Sequence, residues 1–513
     1  MYVRVLPRLW ARSGRVFFVL MVLTTSAAAQ TPADAGHQHE EHTTSSHDQE
    51  TPAARDGSGT AWLPDESPMY AVHSRKGPWT LMFHENAFLQ YLKESGNRGD
   101  HQSGSINWIM GMAERSVGPG RLGVRGMISA EPWSIRGCGY PDLLATGEEC
   151  GGEQIHDRQH PHDLFMELAA IYDAPLAGKA RWQVYGGPAG EPALGPVAYP
   201  HRLSAMPNPL APIAHHWLDS THITFGVVTA AVYRSKWKVE ASVFNGREPD
   251  EKRTSIDVAA LDSISGRLWF LPSPRVALQV SAGHLKEAEP GDAEATRIDV
   301  NRLTASATYH RVFEENSLWA TTIAWGRNAE SGHRAANAFL AESTVTFRQR
   351  DTLFGRFELT AKSAHDLVVP QPPESFTVAK LQAGYTRYVR ARSAFQPGVG
   401  AALSLGIVPD TLAATYGRQV NPGVAIFFTL RPAAMAAAAH AAHGAESASG
   451  ARGMVMVQTA LDASKLSCPP LADENIAAST TYEGKTYYFC SPADRDTFLT
   501  DPKMSLSMMP ARQ

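Results

Sequence analysis

The sequence predicts a mainly β protein: a transmembrane antiparallel β-barrel of about sixteen strands, followed by a small α+β module near the C-terminus. Three observations carry the barrel. Residues 79–431 alternate polar and apolar side chains with period two, the signal of strands with two unlike faces. The connections between these runs switch between short and long, the rhythm of a barrel with tight turns at one end and extended loops at the other. Many runs also exceed the typical strand of about 5–6 residues and reach the length that a tilted membrane strand requires. Alternation alone would equally suit a soluble β-sandwich; strand length and loop rhythm favour the membrane barrel. Hydrocarbon holds no water to satisfy backbone amides, so a sheet that crosses it must close on itself.

The chain has 513 residues and a formal net charge of −4, a balance that gives no reason to expect a nucleic-acid partner. Arg4, Arg8, Arg12 and Arg15 lead into an apolar run at 16–23. Ala27, Ala28 and Ala29 then offer a small-residue cleavage site, so residues 1–29 read as a secretory signal peptide. Residues 30–70 follow as a polar segment with His37, His39, His42 and His47, expected to be disordered and periplasmic. Those histidines suit weak metal capture, or simply a solvated linker.

Within 79–431 the strands are expected near 79–94, 104–116, 121–133, 162–172, 180–187, 222–233, 236–246, 261–271, 275–286, 299–311, 317–327, 338–348, 352–363, 375–389, 396–408 and 422–431. In one of them Trp237, Val239, Ala241 and Val243 oppose Lys236, Lys238, Glu240 and Ser242. Short turns fall at 118–120, 234–236, 272–274, 313–316 and 349–351; the longest loops fall at 134–161 and 188–221. Asp163, Glu167, Lys236, Lys238, Glu240, Arg302, Arg356, Glu358 and Lys362 are the expected lumen-facing charges, of both signs. Residues 432–453, rich in Ala, Gly and Ser, read as a flexible linker.

The last segment, 454–513, reads as a separate unit. "TTYEGKTYYFC" has the alternation of a β-hairpin around Glu-Gly, and "PADRDTFLTDP" reads as a short helix ended by Asp-Pro. Cys468 followed by proline, then Tyr482, Gly484, Lys485, Tyr487, Tyr488, Phe489, Cys490 and Ser491, then Phe498, Asp501 and Pro502, resemble the YHS (TRASH-like) metal-binding module. The resemblance implies a metal site built on Cys468 and Cys490. It departs from the family at Asp494, where a further cysteine is usual, and at Pro469-Pro470. Two thiolates and the Asp494 carboxylate could hold a metal. In an oxidising compartment Cys468 and Cys490 could instead form a disulfide, as Cys138 and Cys150 are expected to do.

Two histidine-rich stretches precede returning strands at the long-loop end. "IHDRQHPHD" holds His156, His160 and His162; "AHHWLDSTH" holds His215, His216 and His222. One strand separates them, which puts the two rims on the order of 10 Å apart. Imidazole with carboxylate suits copper, zinc or nickel. The same groups would also serve to hydrogen-bond long loops into the barrel mouth. The expectation is therefore an outer-membrane barrel of a Gram-negative cell, pore-like or plugged, with both terminal segments periplasmic. Its partners would be outer-membrane lipid, transition-metal ions and periplasmic metal-efflux components. An enzyme acting on envelope lipid, with His162, Asp163 and Ser220 as its residue types, and a barrel that only anchors a periplasmic partner are the alternatives.

Overall fold

The computed structural model describes residues 55–290, 297–370, 373–389 and 394–435, and parts of the C-terminal unit at 455–456, 478–482, 485–489, 495 and 498–499. Sixteen strands close into a barrel, each antiparallel to its neighbours. In chain order they are β1 Trp79–Glu94, β2 His101–Val117, β3 Gly120–Ile128, β4 Phe165–Pro175, β5 Arg181–Ala189, β6 Val227–Arg234, β7 Trp237–Phe244, β8 Ser263–Ser273, β9 Val276–Pro290, β10 Arg297–Phe313, β11 Ser317–Glu330, β12 Ala336–Phe347, β13 Asp351–Ser363, β14 Ser375–Tyr388, β15 Phe395–Ile407 and β16 Val420–Pro432. Each answers to one predicted run. The seam is β16 against β1, from Gly423↔Glu94 to Leu430↔Ala87. Below it, the short strand Val72–Lys76 pairs with β1 from Val72↔Phe83 to Lys76↔Trp79.

The alternation sorts side chains as a membrane barrel needs. Leu89, Ile264, Val280, Ile323, Leu403, Ile426 and Phe428 point outward and are exposed. Near the short turns lie the ring pairs Tyr172–Trp182, Tyr309–Trp319, Phe313–Phe347 and Phe83–Phe395. An apolar wall edged by aromatics is the outer surface of an outer-membrane β-barrel.

The inner wall carries the charges. Lys238, Glu240, Arg302, Arg356, Glu358 and Lys362 are buried there, as expected. Lys236 is not: it sits in the tight turn before β7 and is exposed. These charges are buried because the lumen is filled. Residues 191–223 fold inward between β5 and β6, and almost every one is buried. Their base is closed by a two-way backbone bridge between Gly190 and Thr224, at 3.0 and 2.9 Å. Residues 55–63 fill the short-turn end, where Trp62 packs with Tyr233, Trp269, Leu271 and Ala277. Residues from 55 onward were expected in a disordered segment. They are ordered because the wall satisfies them: Lys238 donates to Thr60 O at 2.7 Å, and Arg125 donates to Asp56 and Gly59 O.

At the opposite end, Leu143 and Leu144 of the 131–163 loop pack with Leu367, Phe376, Leu412 and Tyr416. That loop carries the expected Cys138–Cys150 disulfide.

In the C-terminal unit, Ala478–Tyr482 and Lys485–Phe489 form the expected hairpin, and Val455–Met456 pairs in parallel with Tyr487 and Tyr488. Tyr482 and Phe498 are in edge-to-face contact. Cys468, Cys490 and Asp494 lie outside the described residues, as do 1–54 and the 436–453 stretch.

Candidate functional site

Both histidine-rich stretches turn into the lumen, and the filled interior brings them together. "IHDRQHPHD" leaves the hairpin strand Glu153–Gln159 and enters β4. His156 stays on the hairpin, with Nδ1 2.8 Å from Asp157, and has no described contact with the other histidines. Arg158 pairs with Asp100. His160 and His162 lie deeper. His162 is held by Glu131, whose carboxylate accepts from its backbone N–H (2.9 Å) and faces its Nδ1 (2.8 Å). Its Nε2 is 3.0 Å from the Tyr199 hydroxyl. Asp163 pairs with Arg253, which also binds Glu148.

The second stretch lies on the inward-folded segment. The one-turn helix His215–Leu218 and the 3-10 turn Ser220–His222 meet at Asp219. The Asp219 carboxylate faces His215 Nδ1 at 2.8 Å, and its backbone carbonyl faces His222 Nδ1 at 2.9 Å. Both rings are thereby set with Nδ1 as donor and Nε2 as the free lone pair. Carboxylate or carbonyl behind imidazole is the arrangement that orients metal-ligating histidines. Gly326 of β11 allows this helix to approach the wall, since a Cβ there would overlap Trp217 O.

Imidazole rings then follow one another through the lumen. His216 to His160 is 6.1 Å, His160 to His215 6.4 Å, His215 to His222 5.1 Å, and His222 to His162 5.4 Å between ring centres. Tyr199, 5.9 Å from His162, shares a 3-10 turn with His201. His201 continues to His84 of β1 at 5.7 Å, beside Trp108, and its Nε2 is 3.4 Å from Met127 Sδ. Burial holds His160, His215, His216, His222 and His201 below the ordinary imidazole range, which favours the neutral ring near pH 7. Burial pushes His162 the same way, but the Glu131 charge outweighs it and raises His162. Burial would raise Asp219; Arg202 and His215 hold it well below the usual carboxylate range.

No family model matches the chain, and no curated protein matches it. Among solved structures it is similar to the anion-selective porin from Comamonas acidovorans, at 9% identity and TM-score 0.42, covering 69% of this chain and 99% of that one. It is also similar to Salmonella typhi OmpF in complex with daunomycin (9%, TM-score 0.41, 70% and 100%) and to Acinetobacter baumannii OccAB2 (7%, TM-score 0.35, 68% and 98%). The barrel stands on its own strand pairing, and these likenesses add nothing about cargo.

Of the six barrel histidines singled out from sequence, five share this interior and His156 stands apart. The residue types proposed for hydrolysis do not combine: His162 faces Glu131 and Tyr199, Asp163 pairs with Arg253, and Ser220 Oγ accepts from Arg302 at 2.9 Å. Sequence reasoning missed Glu131, Tyr199, His201, His84, Glu248 and Glu289. They lie in six separate stretches without a motif to single them out, and only the closed barrel makes them neighbours.

Proposed function

We propose that this outer-membrane barrel handles transition-metal ions, with the imidazole series as the path through an otherwise filled lumen. The observation that carries the reading is the Asp219-oriented pair His215 and His222, within a run of seven imidazoles. Neutral imidazole suits copper, zinc and nickel, and the Met127 thioether beside His201 suits the softer of these. The long-loop end would face outside and the termini the periplasm. There the His-rich segment and the YHS-like module, through Cys468, Cys490 and Asp494, would receive ions and pass them to periplasmic efflux components.

The test is flux. Proteoliposomes loaded with a metal-sensitive dye should admit Zn2+, Ni2+ or Cu2+ through wild type and much less through H215N/H222N, with no comparable leak of small neutral solutes. Equal flux through both proteins, or none through wild type, would end the reading.

A further inference from the structure

We propose that His216, Glu248 and Glu289 form a docking site for a divalent transition-metal ion of the zinc class, at the long-loop end of the imidazole series. The inference rests on the reading that the barrel handles metal ions, and it names where an ion first binds. One ligand atom from each residue lies within 4.8 Å of the other two. They come from three separate elements: the helix His215–Leu218, the loop after β7, and the end of β9.

The second observation is a buried imidazole whose ring nitrogens lack aligned hydrogen bonds. His216 is 7% exposed, and among the described residues neither of its ring nitrogens makes an aligned hydrogen bond. Both carboxylate oxygens of Glu248 are also buried, with Glu289 as the neighbouring carboxyl group. His216 Nδ1 lies 2.9 Å from Glu248 Oε1, close enough for an ion pair but not aligned as a hydrogen bond. Buried polar groups in proteins are almost always satisfied, and a buried group this close without aligned hydrogen bonds to ring or carboxylate points to an occupant. Gly147, at φ +113°, lies against the ring where a Cβ would overlap it, so the imidazole has little room to turn away.

The chemistry of the donors selects the ion. One nitrogen and two carboxylate oxygens form a borderline set that suits zinc or a similar divalent metal. Zinc bonds of roughly 2.0–2.2 Å would need only the most widely spaced of these donors to move closer, by about 1 Å, which glutamate rotamers can supply. Three protein ligands leave a position open, as befits an ion that must move on. The cavities on either side of His216 are lined by Glu148, Glu330, Asp366, His333 and His365. Arg302 and Arg247 line them too, but their guanidinium groups bind Ser220 with Asn328, and Glu287, respectively.

The test uses the full-length chain in detergent, with Co2+ as optical probe and Zn2+ as competitor. E248Q/E289Q, checked for native heat-resistant migration, should hold one Co2+ fewer per chain than wild type. In wild type, Zn2+ should protect His216 from diethyl pyrocarbonate; in the double variant it should not. Equal Co2+ content and equal protection in the two proteins would overturn this site and leave the broader metal reading standing. A wild type that retains no Co2+ would overturn both.

Discussion

Arg202 should hold the inward-folded segment in place, and Arg202→Met tests how firmly. The side chain is fully buried. Its Nη1 donates to Asp219 and to Val197 O, both at 2.9 Å, and its Nε donates to Glu342 of β12 at 2.5 Å. Methionine keeps much of the apolar stem and removes every donor. Breaking a buried ion pair from one side costs about 3–5 kcal/mol, because a charge is left uncompensated. Here both carboxylates keep other partners: Asp219 retains His215 and the Tyr199 N–H, and Glu342 retains Arg356 and Ser204. The lower end, about 3 kcal/mol, is therefore expected. At about 1.4 kcal/mol per factor of ten, that shifts the balance between docked and displaced segment by roughly 150-fold. In planar bilayers bathed in KCl wild type should show no open-pore current for most of the record, and Arg202→Met should show frequent openings at unchanged barrel migration. Identical traces for the two proteins would refute the assignment of Arg202 as the tie between segment and wall.

Further outcomes follow from the same contacts. His162 is raised by Glu131, so its stabilising contribution is complete below the ordinary imidazole value of about 6.5 and is lost as pH rises through its higher folded value. The thermal midpoint of wild type should therefore fall over that alkaline window, and His162→Gln should remove this component; an unchanged slope would count against the pair. Ile323, midway along β11 and facing outward, should tolerate Val but lose about 2–4 kcal/mol as Arg if it lies at the bilayer midplane, read as reduced folding into vesicles. Serine at both Cys138 and Cys150 should cost about 3 kcal/mol in local stability, seen as faster proteolysis of the 138–160 loop while the barrel stays folded.

The barrel was legible in the sequence because a wall between lipid and a polar interior writes its two faces into alternate residues. Trp237 to Val243 against Lys238 to Ser242 shows this directly. The filled lumen was not legible. Residues 191–223 have no periodicity, and their burial depends on partners contributed by distant strands, such as Glu342 for Arg202 and Glu358 for the Ala214 N–H. Lys236 was misplaced for a simpler reason: the alternation runs on into a turn, where period two no longer assigns a face. The histidines were visible as clusters, and their approach across one strand was expected. What brought them into contact was the inward fold of their loops. Glu248 and Glu289 carry no local signal, since each is one acid among several in a charged stretch.

The strand Val72–Lys76 bears on how the molecule comes to be built. It occupies the lower part of the β1 edge that β16 would otherwise cover, and β16 pairs only from Ala87 upward. A hairpin of neighbouring residues forms early, whereas the joining of β16 to β1 spans nearly the whole domain and comes late. The hairpin thus acts as a doorstop. With that edge taken, the last strand is left only the upper part of β1 to pair with. A chain lacking residues 72–76 should still make the same strands, yet close them with a ragged seam.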